Sequence, residues 1–564
     1  MPASSRVAPS VSLSVSLALA AALLVIHSLQ FNFVTDDAFI SFVYAKNLVN
    51  HGALVFNLGE RVEGYTNFLW TLLVALGLAL RIPAELSSRV LGTLCAVATM
   101  VFSAWLLRRL RGGSYSLWDS LPAWILAGIP GYACWASGGL ETQLFALLST
   151  LAIGGYLHAV LTEKEADKAP LIGVGVALGL AALTRPEGYL LCALIGLHRL
   201  TLKIQRREWL PTKEEWKMLL IFLLLTVPHI VWRRLYYGYY VPNTFYIKSS
   251  GGQGTWQQGG YYLWAFARDF KLWVLPLLWL LGLLRPLPAS SQTAIPNQLP
   301  QSQQSPVLAQ TPESYKSGYG LCGGLLLLWA GPFLLYVASV GGDFMGLYRF
   351  VMPIVPLAVL AGGLGIWRLL HDQPLLLRVA VLLLGAGLHG ANSYVVDRHA
   401  LTFLGADRGI DTPGYLRHYT ADRALIGKWL GQHVQKDDYQ VVGGAGAQVY
   451  YAGIAALDSF GLSDAYVAHH APAVSSRPGH QKFAPLDYVL SRKPTILTYN
   501  VYKLGNAPYR PSAQEEAEWR ARGFHYVSVQ IPGLSQPWYS FLKRVDRTLG
   551  PLPLASDLSG GSGG

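Results

Sequence analysis

The chain has 564 residues, of which 13% are charged and 52% are hydrophobic. Soluble domains carry about 25% charged residues, so this composition excludes a string of ordinary soluble domains and favours a membrane protein with many spans. It also excludes a disordered chain, a collagen and a disulfide scaffold. The net charge of +12 is explained by the excess of Lys and Arg that such a protein carries in its cytoplasmic loops. The charge therefore gives no reason to predict a nucleic-acid partner.

Apolar runs long enough to cross a bilayer occur only before residue 391. The first run, 11–30, is interpreted as an uncleaved signal anchor, because only Arg6 precedes it and no small-x-small cleavage site follows it. A cleaved signal peptide is the alternative. Ten further spans are predicted at 88–107, 118–135, 140–160, 170–184, 187–199, 217–236, 271–284, 319–340, 350–370 and 374–391.

The apolar stretch 68–80 is interpreted as an interfacial or re-entrant helix rather than a span. It is short for a bilayer crossing. If it did span, the basic segments 108–111 and 199–207 would face outward, against the positive-inside bias.

These runs predict a transmembrane domain at 1–391, with a first outer loop at 31–87 and a disordered cytoplasmic linker, rich in Gln, Ser and Pro, at 286–317. Residues 392–558 are predicted to form an extracytoplasmic mixed α/β domain, and 559–564 reads as an added Gly/Ser linker. Within the α/β domain we predict four strands and two helices. The strands are 439–444, 454–460, 494–499 and 525–531, and the helices are 424–434 and 487–493.

A pair of carboxylates, Asp36 and Asp37, follows the first span. The apolar spacing after them suits a helix lying in the membrane interface. One carboxylate would then be the N-cap of that helix, which leaves the second unexplained. Since ionisable groups at a membrane surface are costly unless they are solvated, paired or used, we predict a catalytic role for at least one of the two.

Other ionisable residues fall in loops that span parity places on the same outer face. Glu141 opens a span and would either cap its helix or point into a cavity. Arg185 and Glu187 flank Pro186, and they either pair with each other or leave Arg185 to hold a phosphate. Arg349 begins a span, where snorkelling to lipid headgroups is the alternative to a site role. Further candidates are Glu63, Tyr65, Asn243, Lys248, Asp343 and Tyr348.

Together, the outer residues suit a reaction that removes a proton from a hydroxyl and releases a phosphate at the membrane surface. Neither a Walker A loop nor an HExxH motif is present. In the α/β domain, Asp458, Asp464 and His480 are candidate acceptor-binding residues, with a plain structural loop as the alternative. Their spacing matches no standard zinc pattern. No cofactor is predicted with certainty, and a divalent cation is left open.

Several segments carry a resemblance to a known family. They are DDAFISFVYAKNLVNHGALVFNLGERVEGYTNFLW (36–70), GLETQLF (139–145), LTRPEG (183–188), VPNTFYIK (241–248) and GGDFMGLYRFVMPIVP (341–356). A carboxylate pair in the first outer loop resembles the GT-C membrane glycosyltransferases. The longer segments resemble the bacterial AftB and ZomB-like arabinofuranosyltransferase family.

The resemblance implies a GT-C fold, Asp36 and Asp37 as catalytic carboxylates, and transfer of D-arabinofuranose from a polyprenyl phosphate to a glycan, lipid or pilin acceptor. It implies a multi-pass protein of the bacterial inner membrane whose active site faces the periplasm and which contacts membrane lipids. Three alternatives stay open: transfer of a hexose or aminosugar, transport, and a non-enzymatic role in flagellar or envelope assembly. An internal repeat would favour transport, and the sequence shows none.

Overall fold

The computed structural model describes residues 9–112, 114–161, 170–208, 210–248, 253–285, 312–475, 477, 479–499 and 502–549. Six of its helices are long and apolar enough to cross a membrane, and four shorter apolar helices accompany them. The six long segments are Ser10–Phe31, Ala84–Arg111, Thr142–Leu161, Lys213–Tyr237, Arg349–Leu370 and Leu375–Thr402. A predominantly helical part is followed by an α/β region.

Each predicted span coincides with one or more helices. The helices of the first part are α1 Pro9–Phe31, α2 Asp36–His51, α3 Phe68–Ala79, α4 Ala84–Arg111, α5 Leu121–Ala127, α6 Pro130–Ser137, α7 Thr142–Leu161, α8 Pro170–Thr184, α9 Glu187–Arg206, α10 Lys213–Tyr237, α11 Asn243–Lys248, α12 Gln253–Phe270, α13 Val274–Leu284, α14 Pro312–Ser339, α15 Val355–Leu370 and α16 Leu375–Thr402, with 3-10 helices at Leu117–Ser120 and Arg349–Ile354.

The span predicted at 118–135 is broken between α5 and α6. Pro130 begins α6 and cannot continue the hydrogen bonding of α5. A Cβ at Gly128 would lie 2.6 Å from Nε2 of His389 on α16. The carbonyl released at Gly128 accepts a hydrogen bond from Ser393 Oγ at 2.5 Å. The last long helix therefore satisfies the backbone of the break, as a membrane interior requires.

The carboxylate pair does not cap α2, and that expectation was wrong. Thr35 occupies the N-cap position with extended backbone, and both aspartates lie in the first helical turn. Negative charge is favourable there because of the helix dipole. The stretch predicted to be interfacial or re-entrant is α3, whose 12 residues give a length of about 18 Å, too short to cross the bilayer core.

Helix α12 was not predicted, because its apolar residues are interspersed with Gln, Gly and Arg and form no long run. The domain boundary predicted at 391 falls inside α16, which continues to Thr402, and the division into two domains stays a prediction. Of the linker predicted at 286–317, residues 286–311 lie outside the described residues, and α14 begins at Pro312.

The α/β region is built on one mixed sheet, and all four predicted strands are present in it. The strands are β1 Ala406–Asp407, β2 Ile410–Asp411, β3 Tyr439–Val442, β4 Ala455–Asp458, β5 Ile496–Leu497, β6 Lys503–Gly505, β7 Phe524–Gln530 and β8 Trp538–Arg544. The strand order in the sheet is β4-β3-β5-β8-β6, and β7 also pairs with β8. Strands β4, β3 and β5 are parallel, whereas β6 and β7 are antiparallel to β8. Strands β1 and β2 form a separate hairpin. The helices are α17 Pro413–His433, α18 Ala447–Ala452, α19 Ala465–His470, α20 Leu486–Ser491 and α21 Ala513–Ala521.

Helix α2 and the loop after it join the two parts of the molecule. The amide nitrogen of Asn57 donates to the carbonyl of Ala456 at 2.9 Å, and its amide oxygen accepts from the Ala456 amide at 3.0 Å. Lys46 donates to the carbonyl of Tyr450 at 3.1 Å. The edge strand β4 and helix α18 are thus bound directly to the element that carries the carboxylate pair.

Candidate functional site

A cavity of about 780 Å³ lies between the helical part and the α/β region. Ten of the fifteen residues singled out from the sequence line it, although they are spread over the chain from residue 36 to residue 480. They are Asp36, Asp37, Tyr65, Glu141, Arg185, Glu187, Asp343, Arg349, Asp458 and His480.

Asp36 is buried and ties the two parts together. Its carboxylate accepts hydrogen bonds from the amides of Ala447, at 2.8 Å, and Gly446, at 3.2 Å. A Cβ at Gly446 would overlap the carbonyl oxygen of Asp36, so the close approach requires glycine there. Burial raises the pKa of Asp36 above its ordinary value, although the two amides and Arg423 act in the opposite direction.

Asp37 follows in the first turn of α2, and its side chain is half-buried and lines the cavity. The two carboxylates therefore differ in their surroundings. Both oxygens of Asp36 accept backbone amides of the α/β region, whereas Asp37 is the more exposed of the two. A group that takes a proton from a substrate must come within hydrogen-bond reach of it, and exposure to the cavity favours Asp37 for that contact.

On the helical side, Arg185 is held between two carboxylates. It is 2.8 Å from Glu141 and 2.6 Å from Glu187. Asn67, which the sequence did not single out, donates to the other oxygen of Glu141 at 2.8 Å. Burial alone would raise the pKa of Glu141, but Arg185, Arg349 and Asn67 hold that pKa below its ordinary value. Pairing of Arg185 with Glu187 is confirmed, and Glu141 points into the cavity.

Arg349 is buried rather than snorkelling to lipid, so that alternative was wrong. Its Nε donates to Asp343 at 2.8 Å. Its guanidinium also lies 5.6 Å from the ring centroid of Trp135 and 5.1 Å from that of Phe350. This arrangement fixes the side chain at the cavity wall with its Nε occupied by Asp343.

Four predicted residues do not line this cavity. Glu63 is buried and 2.7 Å from Arg233 of α10, and burial raises its pKa to about 7 against the effect of Arg233. Asn243 is buried beside the loop 461–464 and donates to the carbonyl of Gly461 at 2.7 Å. Tyr348 donates to Asp269, away from the cavity.

The fourth, Asp464, caps α19 by accepting from the amide of Val467 at 2.9 Å. It thus follows the structural alternative rather than the acceptor-binding one. Lys248 ends α11, and its side chain lies outside the described part of the structure.

Asp458 and His480 line the cavity from the α/β side. Asp458 accepts from the amides of Ser463, at 2.9 Å, and Phe460, at 3.0 Å. Burial raises its pKa to about 6, which these amides oppose. The ring of His480 packs edge-on against Phe460, with ring centroids 4.5 Å apart. Asp458 therefore shapes a loop, and His480 contributes to an aromatic wall.

The main polar group of that wall, Arg423 of α17, was not predicted from the sequence. Only the second half of α17 was predicted to be helical. Tyr415, Tyr419 and Arg423 all line the cavity, and their spacing of four residues places them on one helix face. That spacing was the available signal. Tyr502, between β5 and β6, completes the group.

Within the described residues, no three His, Cys, Asp or Glu side chains come together in an arrangement that could hold a metal ion.

The chain has the fold of the GT-C membrane glycosyltransferases, with a C-terminal α/β region. It matches the crystal structure of ArnT from Cupriavidus metallidurans bound to undecaprenyl phosphate with a TM-score of 0.57, at 12% identity, covering 97% of this chain and 100% of ArnT. The apo form of the same protein matches with a TM-score of 0.55, at 12% identity, covering 96% of this chain and 99% of ArnT.

The resemblance to arabinofuranosyltransferases is also confirmed. The terminal β-(1→2)-arabinofuranosyltransferase of Mycobacterium tuberculosis is 30% identical over 258 residues, which are 44% of this chain and 40% of that protein. The enzyme of the same name from Corynebacterium glutamicum is 27% identical over 347 residues, 57% of this chain and 46% of that protein. The matches thus span less than half the length of these curated relatives. A family model described as a domain of unknown function, DUF8728, matches residues 414–542, which lie within the α/β region.

Proposed function

We propose that the protein is a glycosyltransferase that moves a sugar from a polyprenyl phosphate to a glycan, glycolipid or glycoprotein. The observation that carries the proposal is the carboxylate pair of α2, which opens into a cavity closed by both parts of the molecule. The GT-C fold and the two arabinofuranosyltransferase relatives support it. D-Arabinofuranose is the sugar that these relatives favour.

In the proposed reaction, an acceptor hydroxyl attacks the anomeric carbon of the donor. A C–O bond forms to the acceptor, the bond between the anomeric carbon and the phosphate oxygen breaks, and the phosphate leaves on its lipid. If the anomeric centre inverts, Asp37 takes the proton of the acceptor hydroxyl as general base. If it is retained, a carboxylate attacks first and the acceptor displaces it.

Charge on the phosphate increases as the bond breaks, so a cation beside the leaving group lowers the barrier. We assign this role to the helical side of the cavity, where Arg349 and Arg185 lie. Arg349 is the better placed of the two, because Arg185 has a carboxylate on each side. Glu141 and Glu187 then serve to orient Arg185 rather than to react.

We also propose that the protein lies in the bacterial cytoplasmic membrane with the cavity and the α/β region outside. A protease added to sealed inside-out vesicles tests the orientation. The α/β region should stay intact until detergent is added. Removal of this region from sealed inside-out vesicles would contradict the proposed topology.

A donor panel tests the sugar. The purified protein is given polyprenyl phosphates that carry arabinofuranose, mannose or an aminosugar, with one oligosaccharide acceptor. Transfer of arabinofuranose alone is the expected result. Transfer of a hexose instead would support the proposed transferase function but contradict arabinofuranose as the donor sugar.

A further inference from the structure

The surroundings of Arg423 differ from those of the other arginines in the cavity. Its side chain is buried, with 5% of the residue exposed. Its guanidinium carbon lies 4.2 Å from the ring centroid of Tyr502 and 5.0 Å from that of Tyr419. Nη1 donates to Gln448 at 3.2 Å, and the buried Nε has no hydrogen-bond partner among the described residues. The side chain is therefore held in place by rings, with hydrogen-bonding capacity left over.

Each of the other arginines of the cavity has a carboxylate partner. Arg185, Arg233, Arg349 and Arg477 each lie 2.6–2.8 Å from a carboxylate. Within the described residues no carboxylate lies at ion-pair distance from Arg423. Arg423 interacts with Asp36 only through space. Because a buried cation with no carboxylate in direct contact is costly, Arg423 is a candidate for binding a ligand.

The wall around Arg423 has the character of a carbohydrate site. Aromatic rings line it from Tyr419, Tyr499, Tyr502, Phe460 and His480. The C–H face of a sugar ring packs on such rings, whose faces carry negative charge, while a few fixed polar groups set its orientation. The planar fork of a guanidinium can donate to two neighbouring oxygens at once.

The position of this wall indicates which substrate it serves. The lipid of a polyprenyl-phosphate donor must run into the membrane, so its phosphate belongs on the helical side with Arg349. Arg423 lies on α17, across the carboxylate pair from that side. We infer that the α/β half of the cavity is an acceptor-glycan subsite in which Arg423 binds sugar oxygens and Tyr419 and Tyr502 stack on the ring. The inference rests on the proposed transferase function.

The test compares Arg423→Gln with Lys428→Gln, an exposed position on the same helix. Arg423→Gln should raise the KM for an arabinofuranosyl oligosaccharide about ten- to one-hundred-fold, the range of hydrogen bonds to a charged group. The KM for the donor and the binding of undecaprenyl phosphate should not change. Arg423→Lys should recover only part of the loss, because an ammonium group lacks the fork. Lys428→Gln should behave like wild type.

Tyr502→Ala is the second variant, in case loss of the buried guanidinium impairs folding, and it should weaken the acceptor in the same way. Saturation-transfer NMR measures binding of arabinofuranosyl, mannosyl and galacturonosyl oligosaccharides to the intact protein without donor. A wild-type protein that transfers no sugar, yet binds one of these glycans through Arg423, would overturn the proposed function alone. Loss of undecaprenyl phosphate binding in Arg423→Gln with an unchanged KM for the acceptor would overturn the subsite, as would a wild-type protein that binds no glycan of the panel.

Discussion

On the helical side of the cavity, Arg185 is held between Glu141 and Glu187, whereas on the α/β side Arg423 is held between Tyr419 and Tyr502. Both guanidiniums are buried beside aromatic rings, but the first is ion-paired with two carboxylates, whereas the second has none at ion-pair distance among the described residues. The difference separates two uses of a buried cation. Arg185, with a carboxylate on each side, supports the architecture, whereas Arg423 keeps its charge available for a ligand.

Asp36 lies where the two sides meet, and Asp37 beside it faces the cavity. Asp37→Asn should therefore reduce transfer about 10²- to 10⁴-fold, the usual contribution of a general base. Asp36→Asn keeps one acceptor oxygen for the amides of α18 and should cost less. A transfer assay on the two single variants measures this order. Full activity in both would contradict the catalytic role of the carboxylate pair.

The ion-paired side is tested by breaking its pairs. Arg185→Gln leaves Glu141 and Glu187 buried without their cation, so it should lower the free energy of unfolding by about 3–5 kcal/mol. Adding Glu141→Gln should restore part of the stability because it removes one uncompensated charge. Thermal unfolding of the purified variants measures both effects. Equal stability of Arg185→Gln and wild type would show that the ion pairs do not support the fold.

The junction between the two sides is tested at Gly446. Gly446→Ala places a methyl group against the backbone of Asp36, so it should destabilise the protein by about 1–3 kcal/mol and reduce transfer. Gly385→Ala on α16, where nothing lies within 4 Å of the added carbon, is the matched control. The close contact between α2 and α18 would be contradicted if the two variants behaved alike.

A further effect concerns pH. Burial raises the pKa of Glu63 to about 7 in the folded chain, against the effect of Arg233, from about 4.3 in an unfolded one. The folded state then binds more protons between these values, so the free energy of unfolding should fall by about 3 kcal/mol or less as pH rises from 4.5 to 7.

Thermal unfolding from pH 4.5 to 8 should reveal this slope in wild type and a flatter curve in Glu63→Gln. The exposed Glu516→Gln is its control. Parallel curves for wild type and Glu63→Gln would contradict the raised pKa.

Much of the helical part could be predicted because bilayer-length apolar runs have few alternatives. The break at Gly128 could not, since it depends on His389 and Ser393 from a helix far along the chain. In the α/β region, β8 was missed because Lys543 and Ser540 interrupt its apolar pattern, although both are buried.

The residues of the site could likewise be predicted only in part from the sequence. Asp36 and Asp37 were conspicuous because they are adjacent and follow a span. Arg423 was not, because it sits mid-helix among ordinary polar residues and becomes unusual only when Tyr502, from a different segment, packs on it. Likewise Glu141 and Arg185 are 44 residues apart, and local sequence gives no sign that they pair. Contacts between distant segments are what the sequence alone leaves undetermined.

In the proposed function, the carboxylate pair drives transfer from a lipid phosphate. The most direct measurement gives radiolabelled polyprenyl-phospho-arabinofuranose and an arabinan oligosaccharide to the purified protein and to an Asp36→Asn/Asp37→Asn double variant whose folding is confirmed by thermal unfolding. Label should appear on the acceptor with wild type and should not rise above background with the double variant. Equal transfer by the two proteins would contradict the role of the carboxylates.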